Sequence, residues 1–126
     1  CGGVKDDAMK VIVGGPMMGV AQFDFAAPVM KATSGIVVLT KDEVNAHPET
    51  PCLKCGKCIE ACPLQLIPTK LSRYSQLEKY AEAEEFNITT CMECGTCTFT
   101  CPANIPLVQW IRLGKQKVNE LQREKK

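Results

Sequence analysis

The chain has 126 residues, 15 Lys plus Arg against 14 Asp plus Glu, and a formal net charge of +1. That length suits one ordinary domain or two small ones, and the charge argues against a nucleic-acid partner. With 45% apolar and 23% charged residues, composition excludes a disordered chain, and no apolar run approaches the length that crosses a bilayer. No signal-peptide pattern opens the chain, and its first residue is Cys1 rather than an initiator methionine. A fragment or a processed chain is therefore expected.

Residues 1–45 are rich in glycine and valine. "KVIVGG" (Lys10–Gly15) and "GIVVLT" (Gly35–Thr40) predict two short buried strands, joined by "GGPMMG" and a long apolar connection. Met17 and Met18, in that glycine-rich setting, read as a tight turn packed by methionine. So short a stretch buries too little apolar surface to stand alone, so 1–45 reads as the remnant of a larger β-containing domain. Residues 46–51, "AHPETP", read as a polar, proline-bearing linker.

From Cys52 onward the pattern changes to cysteine clusters separated by helical stretches. After the first cluster, Ile67-Pro68 opens a helix with Leu71, Tyr74 and Leu77 spaced for one face. Proline is well placed in a first turn, where its missing N–H costs nothing. "AEAEEF" (Ala81–Phe86) supports a second short helix, with Asn87 as its stop. After the second cluster, Ile105-Pro106 opens a helix with Leu107, Ile111, Val118 and Leu121 on one face. Trp110 there reads as packing, and "QREKK" as a solvated helix end. The fold class expected is α+β, with residues 52–126 forming a mostly helical domain wrapped around metal sites.

Eight of the nine cysteines form two runs with a step of 39 residues between them. Cys52, Cys55, Cys58, Cys62 and Pro63 recur as Cys91, Cys94, Cys97, Cys101 and Pro102. The spacing C-x2-C-x2-C-x3-C-P is the bacterial ferredoxin run that ligates a [4Fe–4S] cluster. Three cysteines two residues apart wind the backbone around three corners of a cubane, and the wound loop aims N–H groups at its sulfurs. Gly56 and Gly95 occupy the same place in each loop, where a side chain would crowd the cluster or forbid the backbone angle.

In two-cluster proteins the fourth cysteine of each run ligates the other cluster. The expected ligand sets are therefore crossed: Cys52, Cys55, Cys58 and Cys101 for one, and Cys91, Cys94, Cys97 and Cys62 for the other. Disulfides are disfavoured by the spacing, and the compartment reads as reducing. Zinc also uses C-x2-C pairs, but two complete runs with the trailing proline point to iron and sulfur.

Two oxidised clusters with their thiolates would move the net charge of +1 to about −3. Lys54 and Lys57 lie in the first loop against Glu93, Thr96 and Thr98 in the second, so the first cluster is expected to have the higher potential. His47, in the polar linker, is not needed as a ligand where eight cysteines suffice. Cys1 reads as a buried or adventitious thiol. Catalytic constellations are absent: there is no G-x-G-x-x-G, no P-loop and no nucleophile–histidine pair.

"GGPMMG", "KATSGIVVLT", "PCLKCGKCIEACP" and "CMECGTCTFTCPANIPLVQWIR", in that order and spacing, resemble the C subunit of the Rnf complex. That complex is a bacterial membrane-bound ferredoxin:NAD oxidoreductase that couples electron transfer to ion pumping. The resemblance runs from about Val11 to Arg112. It implies that residues 1–45 end a β-grasp region, and that FMN and NAD(H) bind only in an upstream part missing from this chain. It further implies partners among the membrane Rnf subunits, possible contact with a soluble ferredoxin, and a peripheral place on the cytoplasmic face of the bacterial inner membrane. The expected function is an electron relay through two [4Fe–4S] clusters, with no turnover of NADH by the chain itself. Two other readings stay open: a similar relay in a cobalamin reductase, and a non-redox module in which metal only holds the fold.

Overall fold

The computed structural model describes residues 2–44 and 47–124. Cys1 and Ala46, which carried expectations above, lie outside the described residues, as do the last two lysines of "QREKK". The chain divides into two compact units, Cys1–His47 and Pro48–Lys126.

The first unit is a three-stranded antiparallel sheet in the order β2-β1-β3. The strands are β1 (Ala8–Val13), β2 (Val20–Gln22) and β3 (Ile36–Thr40). β-Branched residues dominate β1 and β3, and their side chains suit a pleated surface. Val11 pairs with Gln22 on one side and Val38 on the other, with an irregularity between Ala8 and Lys10. The β2 strand was not expected, because "VAQ" is too short to show alternation.

The expectation of two buried strands holds for only one. Val11 and Ile12 of β1 are buried, but in β3 Ile36 and Val38 are exposed. The period of two sends those side chains to one face of the sheet, where Val38 stands opposite the buried Val11 yet stays open to solvent itself. Met17 and Met18 are also exposed.

The second unit is helical. It contains α1 (Lys57–Glu60), α2 (Pro68–Gln76), α3 (Tyr80–Glu85), a 3-10 turn at Ile88–Thr90, α4 (Thr96–Phe99) and α5 (Leu107–Glu124). Pro68 opens α2 as expected, and Asn87, in the left-handed region at φ 59°, ends the stretch after α3. Two buried groups form the core. Leu71, Ala83, Ile88, Ile111 and Val118 make one, while Cys58, Cys97, Ala103, Ile105, Leu107 and Val108 make the other.

The helices α2 and α5 approach closely at Gly114, where a Cβ would collide with Ser75 Oγ and lie 2.7 Å from Ser75 Cβ. Ser75 meanwhile donates its hydroxyl to the Leu71 carbonyl at 2.8 Å, so its polar atom is satisfied inside the contact. Tyr74 and Phe86 pack with ring centroids 5.5 Å apart, and Lys70 Nζ caps the Phe86 ring at 4.4 Å. Leu77 and Leu121, expected on the buried faces, are exposed. Leu77 falls on the residue that ends α2, where the helical period no longer sets its direction. No helix among the described residues is long and apolar enough to cross a membrane.

Candidate metal centre

Each cysteine run folds as a wound loop entering a one-turn helix. Gly56 precedes α1 at φ 81°, and Gly95 precedes α4 at φ 80°. A Cβ on Gly56 would meet nothing within 4 Å, so within the protein it is the left-handed angle, not crowding, that calls for glycine. The repeat extends to backbone angles invisible in the cysteine pattern. Lys54 and Glu93 stand at φ 53° and 57°, and Gln65 and Asn104 at 54° and 51°.

The left-handed residues turn amide groups toward the thiols. Lys54 N–H points to Cys52 Sγ and Glu93 N–H to Cys91 Sγ, both at 3.4 Å. Leu66 N–H makes the same approach to Cys62 Sγ at 3.4 Å. N–H groups aimed at sulfur favour the thiolate and any negative charge delocalised onto it.

The eight thiols face two cavities. Cys52, Cys55, Cys58 and Cys101 line one of about 620 Å³, and Cys62, Cys91, Cys94 and Cys97 line a much tighter one of about 20 Å³. In each, three cysteines come from one run and the fourth from the other. Cys58 and Cys97 are buried and Cys52 and Cys55 exposed, with the other four between. Segment 49–51, read as linker, lines the larger cavity, and Thr50 donates its N–H to the Ala103 carbonyl at 3.0 Å. His47 belongs to the first unit, not to the one that carries these cysteines.

Burial pushes the Cys58 thiol up, and the neighbouring Cys101, Cys52 and Cys55 add to the rise. Burial also raises Cys91 and carries Cys97 to about 11. Cys94 is lowered, chiefly by its 3.3 Å contact with the Thr96 hydroxyl. Buried neutral thiols must lose protons to become ligands, so metal loading here releases protons.

The residue types suit an iron–sulfur cluster: four thiols per site, N–H groups on the sulfurs and a glycine-permitted winding. Among the described residues no three Cys, His, Asp or Glu side chains converge closely enough for a single metal ion. A four-iron cube instead needs its thiolates spread over separate corners.

The second site has a feature the sequence reading did not find. Arg112 and Lys115 of α5 both pair with Glu93, at 2.9 and 3.3 Å, and Lys115 Nζ donates to the Cys91 carbonyl at 2.6 Å. Nineteen or more residues separate the partners, so no local pattern signals the pairing. Glu93, counted in the sequence as the negative charge of the second loop, is paired with both of these cations.

A family description for a 4Fe-4S dicluster domain matches residues 51–105. The chain is 54% identical over 113 residues to the C subunit of the proton-translocating ferredoxin:NAD(+) oxidoreductase complex of Clostridium ljungdahlii, covering 89% of this chain and 25% of that protein. It is 49% identical over 118 residues to the C subunit of the Na(+)-translocating ferredoxin:NAD(+) oxidoreductase complex of Acetobacterium woodii, covering 94% and 27%. To the C subunit of the ion-translocating oxidoreductase complex of Rhodobacter capsulatus it is 42% identical over 125 residues, covering 99% and 24%. The chain thus spans about a quarter of the length of the curated relatives it matches.

Proposed function

We propose that this chain, a homologue of the C subunits of ion-translocating ferredoxin:NAD(+) oxidoreductase complexes over about a quarter of their length, is an electron relay within such a complex. In this reading Cys52, Cys55, Cys58 and Cys101 hold one [4Fe–4S] cluster, and Cys91, Cys94, Cys97 and Cys62 hold a second. The observation that carries it is the division of eight thiols between two cavities, each completed by the last cysteine of the opposite run. When bound, such clusters accept and release single electrons without a proton or a bond being moved.

The chain's own residues supply the rest. The Lys54, Leu66 and Glu93 amides donate toward ligand sulfurs and so stabilise negative charge there. The crossed ligands tie the two loops together and hold the sites at a fixed separation. Leu107 and Val108, buried beside Cys58 and Cys97, keep water from one side of both. Positioning and electrostatics of this kind are what a protein contributes to a relay whose redox chemistry belongs to the cofactor.

The wider setting belongs to the same proposal. The exposed apolar face of β3 and a length about a quarter of the relatives' support reading residues 1–45 as the end of a β-grasp region. FMN and NAD(H) would bind in other parts of the longer subunit, and the electron partners would be other members of the complex and a soluble ferredoxin. The place expected is peripheral, on the cytoplasmic face of the membrane.

Anaerobic iron and acid-labile sulfide analysis, with EPR after dithionite, tests the relay. About eight iron and eight sulfide per chain, with two interacting paramagnets, is the expected result. A colourless, zinc-loaded protein would contradict it.

A further inference from the structure

The second cysteine loop is fastened to α5 by a three-membered ion group with no counterpart at the first loop among the described residues. Glu93 stands where the first loop has Lys54, both left-handed at φ 57° and 53° and both with the amide turned to a ligand sulfur. The Glu93 carboxylate receives Arg112 Nε at 2.9 Å on one oxygen and Lys115 Nζ at 3.3 Å on the other. Lys115 continues to the carbonyl of Cys91 at 2.6 Å. It is therefore hydrogen-bonded to the backbone of a ligand residue rather than merely near it.

We propose that Lys115 is a positioning and tuning residue of the second cluster, its ammonium raising that cluster's potential while Glu93 holds it in place and partly offsets it. The inference rests on the crossed two-cluster reading given above. Two cations, Arg112 and Lys115, meet this one carboxylate beside Cys91. The three side chains are only 23–26% exposed, so solvent and salt screen this field less than they screen an exposed charge. Positive charge favours the reduced, more negative cluster.

A purely structural role and an electrostatic one make different demands. Lys115→Met and Glu93→Gln both break the same ion pair, so a structural role moves the second cluster in the same direction in both. An electrostatic role moves it in opposite directions. The test is an EPR-monitored redox titration of the anaerobic full chain, with iron content measured alongside and the two signals assigned through Cys62→Ser and Cys101→Ser. Lys115→Met should lower the potential of the second cluster and leave the first unmoved. Glu93→Gln should raise it, and Lys115→Arg should keep it at the wild-type value.

Shifts of one sign in both variants, or no shift in either, would overturn the proposal. If Lys115→Met does not retain its iron, Lys115→Gln takes its place: a lowered potential of the second cluster supports the role, and an unmoved or raised one refutes it. Failure of the underlying reading looks different, because the wild type itself would then lack two clusters.

Discussion

The two cysteine loops share a backbone and differ in almost everything around it. Both place a left-handed residue two positions after the first cysteine and a glycine near φ 80° before a one-turn helix. Both turn an amide to the first sulfur at 3.4 Å. Yet the first loop opens on a cavity of about 620 Å³ with Cys52 and Cys55 exposed, whereas the second closes on about 20 Å³. The first is lined by separate cations, Lys54, Lys70 and Arg73, and the second is fastened by Arg112 and Lys115 through Glu93. Ligand spacing determines the loop; the helix behind the loop determines the environment.

That contrast is sharpest where the two sites share a support. Residues of α2 line both cavities, and Val108 and Ile111 of α5 line the second. Gly114→Ala should therefore damage both sites together. Alanine gains about 1 kcal/mol over glycine in helix propensity, but overpacking against Ser75 costs about 1–3 kcal/mol. A net loss is expected in denaturant unfolding, and Ser75→Gly added to it should recover most of that loss. Additive damage from the pair would mean the close contact is not the cause.

Within the second site, the thiols of the cluster-free chain should differ in reactivity. Cys94 is lowered and exposed enough to react, while Cys97 is buried and pushed up to about 11. At about pH 8 the difference in thiolate fraction exceeds the gain in nucleophilicity of the more basic thiol. Alkylation followed by peptide mass spectrometry should find Cys94 at least about tenfold faster. Equal rates would show that burial does not distinguish the two.

Between the sites, exposure predicts the order of loss in air. The signal of the first cluster should decay several-fold faster than that of the second, because oxygen and water reach Cys52 and Cys55 directly. Simultaneous decay would erase the contrast. The smallest effect belongs to Lys54→Glu with Lys57→Glu, since both lysines are exposed and charges in solvent are strongly screened. A slight fall in the first potential is expected in the redox titration, smaller than the shift from Lys115→Met.

Much of the candidate site's local geometry was legible in the sequence because its signals are local. Cys-x2-Cys spacing, the glycine in each loop, Pro68 at a helix start and Asn87 at a stop each act within a few residues. The stop after α3 and the left-handed Gly56 and Gly95 follow from such rules. What escaped depends on residues far apart. Glu93 pairs with Arg112 and Lys115 only because α5 folds back over the loop, so counting charges within the loop leaves these two cations out. Leu77 and Leu121 satisfied the helical period, yet Leu77 sits where α2 has ended and Leu121 is exposed near the end of α5. The exposed Ile36 and Val38 of β3 have the composition of buried residues, and composition does not say what covers them.

The central claim is that the fourth thiol crosses. Cys62 lies in the first run, yet it lines the cavity of Cys91, Cys94 and Cys97. EPR of dithionite-reduced Cys62→Ser, with iron content, tests this most directly. The account predicts loss or alteration of the second cluster's signal with the first retained, and the reverse pattern in Cys101→Ser. If Cys62→Ser removed only the signal of the cluster held by Cys52, Cys55 and Cys58, the crossing would be contradicted.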